Sequence, residues 1–284
     1  MKSNATESPD RKAAFQTAGR RWNLMKRSVW KAGLLAALGG LSASSALAQY
    51  STTRGPYWPG TTDHYYGNTW ISSSTTFNNS GSLIYSTSTL ATNTGPLPFT
   101  DNWTIGDYYW AADVLVKGSD GVTINNTGTI QSIVSGYGAA QSVGILSLKS
   151  GLVITNWGTI YGQVQNHDVV AAGVWTEAQS TTLINHGTIS ARSKFTAVGI
   201  LTGQKVYIVN NGTIQAVCDG GTEGITANRA KAQCFGFGGD NPMYFENNGQ
   251  IKCIGTSTTA DNEVIMLNCW NNGPIVFKNT GLIY

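Results

Sequence analysis

The sequence predicts an all-β chain wound into a parallel β-helix, a solenoid of about three strands per coil. Three observations carry that prediction. A nine-residue unit returns at intervals of tens of residues, a second short phrase falls between its copies, and the recurring residue types are those that a sharp bend between unpaired strands requires.

The unit reads apolar-x-apolar-x-Asn-x-Gly-x-Ile. It stands at Val122 to Ile130 (VTINNTGTI), Leu152 to Ile160 (LVITNWGTI), Val206 to Ile214 (VYIVNNGTI), Met243 to Ile251 (MYFENNGQI) and Ile275 to Ile283 (IVFKNTGLI). A copy opening on Thr181 ends at Ile189, and a fainter one spans Thr75 to Leu83. Apolar residues two and four positions before the Asn line one face of a short strand, and the Ile after the Gly begins another. Between them Asn-x-Gly turns the corner, because Asn tolerates the left-handed backbone and Gly adopts positive φ without a steric cost. If the coils stack, Asn126, Asn156, Asn185, Asn210, Asn247 and Asn279 are expected to form a ladder of amides, with Gly128, Gly158, Gly187, Gly212, Gly249 and Gly281 as its turn residues. A hairpin explains Asn and Gly but not the return of the whole unit.

The second phrase, small-x-Gly-[Ile/Val], occurs at Ser142 to Ile145, Ala171 to Val174, Ala197 to Ile200 and Thr222 to Ile225, with Ala111 to Val114 and Asn262 to Ile265 as variants. It supplies the third strand of each coil.

Residues 1–48 read as a signal peptide. Arg20, Arg21, Lys26, Arg27 and Lys31 form a basic region, Ala32 to Leu41 an apolar run too short to span a bilayer, and Ala46-Leu-Ala48 a small-x-small cleavage site, so the mature chain begins at Gln49. Met25 opens an ordinary-length signal by itself and is an alternative start. Arg20 to Lys26 resembles a twin-arginine signal, with Asn23 where a bulky apolar residue belongs. The chain has 18 basic and 15 acidic residues, of which the leader holds 8 and 2, leaving 10 against 13. The mature part is therefore mildly acidic. Its charge excludes a basic stripe for nucleic acid, and no transmembrane helix is expected.

Residues 49–113 are less regular and rich in aromatic side chains, as expected of a cap over the first coil's open edge, or of the first coils themselves. The sharper reading of the same residues is a glycan-binding platform, since sugar rings stack on tryptophan and tyrosine faces. Tyr57, Trp58, Tyr65, Tyr66 and Trp70 are its candidate residues.

Residues 114–284 carry the repeats. Successive corner glycines lie 30, 29, 25, 37 and 32 residues apart, and the extra length of the fourth step falls between Ile225 and Met243, whose Gly and Pro content reads as a protruding loop. Cys218 and Cys253 are 35 residues apart, as are Cys234 and Cys269, close to the local coil length. Stacked strands bring such pairs within disulfide reach, so Cys218–Cys253 and Cys234–Cys269 are expected. Cys218–Cys234 with Cys253–Cys269 is the next arrangement, and stacked thiols the third. No metal site or cofactor is expected, because C-x-x-C is missing and His64, His167 and His186 are scattered.

The Asn-x-Gly-Thr-Ile corners, the Gly-Ile strand starts and the leader together resemble the passenger region of a bacterial autotransporter or a related β-helical surface adhesin. The resemblance covers 114–284 well and 49–113 poorly. It implies a right-handed β-helix exported to the extracellular space or cell surface, or to the periplasm without a translocator, where it serves adhesion through a glycan or protein ligand. Two features depart from the family: four cysteines, where passengers carry few, and no barrel strands after the repeats. The sequence stops inside a repeat, so its last coil is expected to leave an open edge that pairs with a continuation or another chain.

The rival expectation is a secreted polysaccharide lyase or hydrolase of the pectin-lyase-like type, which shares the solenoid. Such chemistry needs clustered carboxylates on one strand face. Asp168, Glu177, Asp219, Glu223, Asp240 and Glu263 fall instead at unlike offsets from the corners, although Asp219, Glu223, Arg229 and Asp240 could converge near the long loop. Phe235-Gly-Phe-Gly-Gly lacks the helix and Lys of a phosphate loop, and no catalytic residue is assigned.

Overall fold

The computed structural model describes residues 48–53, 62–87, 108–135, 140–165, 170–176, 180–194, 196–203, 205–219, 229–238, 242–256, 261–270 and 273–284. Residues 1–47, read above as most of a signal peptide, lie outside them. The described residues are all-β, and three sheets, A, B and C, take one strand each from every coil, giving a parallel β-helix. One coil shows the pattern: Leu152–Asn156 in sheet B, Thr159–Val164 in sheet C, Val170–Thr176 in sheet A, then Thr181–Asn185 in sheet B again.

Sheets B and C stack in strict register. Asn156 pairs with Asn126 on one side and Asn185 on the other, and Ile160 with Ile130 and Ile189. Burial alternates residue by residue: Leu152, Ile154 and Asn156 point in, while Val153 and Thr155 point out. Ile124, Ile154, Leu183, Ile208 and Phe245 are therefore stacked without solvent exposure. Each such side chain contributes about 2 kcal/mol of hydrophobic stabilisation.

Sheet A differs, because both of its faces are buried. Ala111, Val114, Ile145, Ala171, Val174, Ala197 and Ile200 join the interior, whereas Trp110, Ala112, Leu115, Val143, Leu146, Ala172 and Val198 form a second cluster on the outer side. The switch of side occurs at Asp113, Gly144, Gly173 and Gly199, which the strand pairing skips. A Cβ at Gly144 would meet the Gly173 carbonyl oxygen at 2.7 Å and the Ile160 methyl at 2.8 Å, so the backbone passes close beneath the neighbouring sheet.

At the N-terminal end, Ala48–Thr53 runs antiparallel to Thr62–Gly67, which pairs in parallel with Tyr108–Val116. Thr76–Asn79 and Ser82–Thr87 already stand in sheets B and C, so the faint copy at Thr75 to Leu83 is a true coil. At the other end, Ile275–Asn279 takes the inward register of its neighbours, yet Ile275, Val276 and Phe277 stay exposed beyond the last stacked strand.

Four expectations are corrected. First, positive φ among the described residues occurs at Gly121, Gly151 and Lys205, ahead of sheet B strands, and not at the Asn-x-Gly corners. The corner glycines are demanded by contact: a Cβ on Gly158 would lie 1.9 Å from the Gly128 carbonyl oxygen, and one on Gly187 2.0 Å from that of Gly158. Second, the inserted stretch is not one loop from Ile225 to Met243, since Arg229–Gly238 is a sheet A strand. Ala232 pairs with Ala197 and Phe235 with Ile200, so Ala232 to Phe235, and not Thr222 to Ile225, is the third-strand phrase of that coil. Third, Val264 pairs with Ala232 and Leu267 with Phe235, which puts the next copy at Val264 to Leu267 instead of Asn262 to Ile265.

Fourth, Cys218 and Cys253 are buried and not disulfide-bonded. Their thiols donate to the carbonyls of Lys194 and Ile265, each at 3.3 Å. Cys218 pairs with Gly255 and Cys253 with Ala216, so the two cysteines are two residues out of step. Their Cα atoms are then about 8 Å apart, past the reach of a disulfide. Phe235 pairs with Leu267 and Phe237 with Cys269, which leaves Cys234 three residues out of step with Cys269. The spacing of 35 matches neither local step, which is 37 in sheet C and 32 in sheet A.

Candidate functional site: the ridge at the Asn-x-Gly corner

Because the Asn of each corner faces inward, the next residue must face out, and stacking sets these residues in a ridge along the coils. Ser80, Thr127, Trp157, His186, Asn211, Asn248 and Thr280 occupy it. The inner side of the corner holds them rigidly. Asn126 Nδ2 donates to Asn156 Oδ1 at 2.8 Å, to the Gly128 carbonyl at 3.2 Å and to the Thr159 carbonyl of the next coil at 3.2 Å. The same amide chain runs from Asn79 through Asn126, Asn156, Asn185, Asn210 and Asn247 to Asn279 at 2.7–2.8 Å per step. The backbone adds to it: the amides of Trp157 and Gly158 both donate to the Asn126 carbonyl.

On this support Trp157 is 60% exposed. Its ring stacks on His186 with centroids 3.7 Å apart and planes 6° from parallel. Partial burial lowers the His186 pKa, favouring the neutral form of the imidazole. Farther along, Asn248 donates to Asn211 Oδ1 at 3.1 Å, and Thr280 donates to Asn248 Oδ1 at 2.7 Å. Beside this half of the ridge, on the outer face of sheet B, Tyr207 stacks on Tyr244 at 4.9 Å. The Tyr244 hydroxyl donates to Glu246, and burial, with Glu246 adding, raises the Tyr244 pKa. Tyr244 itself is buried, with Lys278 Nζ 5.3 Å from its ring centroid, so the exposed ring of the ridge is that of Trp157, whose face suits a ligand with a flat apolar side and a hydroxylated rim.

Of the aromatic platform's residues, the three described ones, Tyr65, Tyr66 and Trp70, do not share one exposed face. Tyr57 and Trp58 lie outside the described residues. Tyr65 is buried, stacked on Trp110 at 6.2 Å in the outer cluster of sheet A, and Tyr66 packs against the interior. Strand alternation sends the two tyrosines to opposite faces. Trp70 is half-buried against the outer cluster, with Lys117 Nζ 3.8 Å above its ring.

The described carboxylates are dispersed and each has its own structural contact. Asp219 accepts from Arg192 at 2.7 Å and from Thr256 at 3.2 Å, Asp120 accepts from the Ser150 amide, and Glu246 serves Tyr244 and Asn248. Asp168, Glu177, Glu223 and Asp240 lie outside the described residues, as do the side chains of Arg229 and Glu263. Among the described residues no cluster of His, Cys, Asp or Glu is arranged to hold a metal ion. No helix of the described residues is long and apolar enough to cross a membrane.

Asp113 is the buried exception, standing where the next three coils have glycine. Burial raises its carboxyl to about 7, against the lowering effect of hydrogen bonds from Asn68 and the Gln131 amide. A carboxyl whose pKa is raised on folding binds its proton more tightly in the folded chain than in the unfolded one. Stability is therefore fullest below the ordinary value of 3.8, declines as pH rises to about 7, and levels off above that. Denaturation midpoints measured across this range should fall with pH in the wild type and lose that decline in Asp113→Gly. An unchanged slope in the variant rules out Asp113 as its source.

Sequence reading missed the ridge, since it attended to the invariant positions of the unit and passed over the variable one between Asn and Gly. The available signal was an exposed-type position filled by Trp157 and His186 in consecutive copies. Compared with known proteins, the chain matches no family model, no curated protein and no solved structure.

Proposed function

We propose that this chain is an exported, non-enzymatic β-helical protein of the bacterial surface or surroundings, adhesive in role in the manner of an autotransporter passenger. It binds carbohydrate on the Asn-x-Gly ridge. The observation that supports this reading is the exposed Trp157 ring, held flat by His186 on a row of hydrogen-bonded corners. A sugar's C–H face meets the electron-rich face of an indole, and its hydroxyls find amides and hydroxyls alongside. The leader and the low charge of the mature part agree with export, and the carboxylates whose side chains are described, Asp113, Asp120, Asp219 and Glu246, stand apart from one another with structural partners of their own. Glycan-array binding of the chain is the test. Trp157→Ala should lower binding of the recognised glycan by about tenfold, a loss of about 1.4 kcal/mol. Because the ring is on the surface, the melting temperature should stay unchanged. Undiminished binding by this variant removes the ridge from the proposal.

A further inference from the structure

The orientation of the Trp157 ring determines which part of a glycan the ridge can read. Trp157 and His186 stand at equivalent corners of adjacent coils, since Asn156 pairs with Asn185. Their rings are parallel within 6° at 3.7 Å, close to van der Waals contact, so they overlie with little offset and their common normal follows the stacking direction. One face of Trp157 is thus taken by His186. The opposite face looks toward the preceding coil, where the corner holds Thr127, and beyond it Ser80, both short and exposed. The indole therefore forms the wall of a notch whose floor is Thr127.

The lining of that notch is polar and uncharged. The Thr127 hydroxyl donates to the Asn79 carbonyl at 3.2 Å, which anchors the floor. On the sheet B side Asn125 donates to Asn78 Oδ1 at 2.8 Å on the exposed surface, with Thr155 beside Asn125 in register. Thr129 and Thr159 flank it on the sheet C side. A carboxylated sugar would find no cation among these neighbours, whereas a neutral ring finds an aromatic face and hydroxyl and amide partners.

Resting on the carbohydrate reading above, we propose that the notch over Thr127 takes one neutral pyranose ring, stacked on Trp157 as the next layer after His186. A ring so placed lies across the stacking direction. Its glycosidic bonds, which leave roughly in the ring plane, carry the rest of the glycan sideways off the ridge. The ridge reads a single sugar unit and not a length of polymer.

The test uses the full chain, with binding followed by tryptophan fluorescence and calorimetry. The probes are methyl β-glucoside, methyl β-galactoside, their short β-linked oligosaccharides and methyl galacturonoside. The expected result is that one neutral methyl glycoside binds, that its oligosaccharides bind within about threefold of it, and that the uronoside does not bind. Thr127→Trp, which puts a third ring into the notch, should lower binding by about tenfold or more, while Thr280→Trp at the far end of the same ridge leaves it intact. Affinity that climbs more than about tenfold with chain length, or preference for the uronoside, overturns the proposal without any variant. Wild-type binding by a folded Thr127→Trp, alongside loss in Trp157→Ala, overturns this placement and leaves the broader reading standing. Unchanged binding in Trp157→Ala, or no binding of any glycan by the wild type, overturns both.

Discussion

Gly158→Ala is expected to destabilise the folded chain by about 3 kcal/mol, and Gly81→Ala to change it by less than about 1 kcal/mol. Both are corner glycines of the same unit, so propensity and motif treat them alike. Their surroundings do not. A methyl on Gly158 would lie 1.9 Å from the Gly128 carbonyl oxygen and 2.8 Å from the Thr127 carbonyl carbon, while nothing lies within 4 Å of one on Gly81. Backbone on both sides cannot step aside as the tip of a side chain can, and the amide hydrogen bonds of Trp157 and Gly158 to Asn126 pin the corner. Relief would require the two coils to separate. Urea denaturation of the two variants measures the contrast. Equal costs would show that backbone conformation and not the close approach selects glycine at these corners.

Asn156→Leu is expected to cost about 3–4 kcal/mol although leucine is similar in size and apolar. The substitution removes the acceptor of the Asn126 amide and the donor to Asn185 Oδ1, and deprives the Gly158 and Thr188 carbonyls of a donor. Asn156 is fully buried, so water cannot replace those partners. Asn279→Leu should cost less, about 1–2 kcal/mol, because it removes the acceptor of the Asn247 amide and a donor to the Gly281 carbonyl at the exposed end of the row. Thermal or chemical unfolding of both variants decides it. A cost at Asn279 matching that at Asn156 would mean that burial plays no part in the ladder's contribution.

The fold was legible in the sequence because stacking forces the same requirement on each coil. Asn, Gly and Ile recur where amide chain, backbone contact and core each need them, and the three parallel sheets follow. What was misread lay where that requirement weakens. The third strand is recognised by a glycine, but two of its copies have Cys234 and Met266 in that place, so the phrase was sought at Thr222 and Asn262. The cysteine pairing rested on a mean step, and a difference of two or three residues from the local one is enough to break a disulfide. Tyr65 and Tyr66 show the limit of composition: aromatic content cannot tell a buried ring from an exposed one. Trp157 was overlooked for the converse reason, since the ridge position faces solvent and nothing in the stacking dictates its identity.

Across the described strands, the Asn-x-Gly corner always spans two residues, whereas the passage from sheet C to sheet A spans 2, 5, 10 or 20. The coils thus have a conserving seam and a permissive one. New chain can be taken up along the second without disturbing the alignment of the first, so the ridge and the segments between sheets C and A are free to diverge independently.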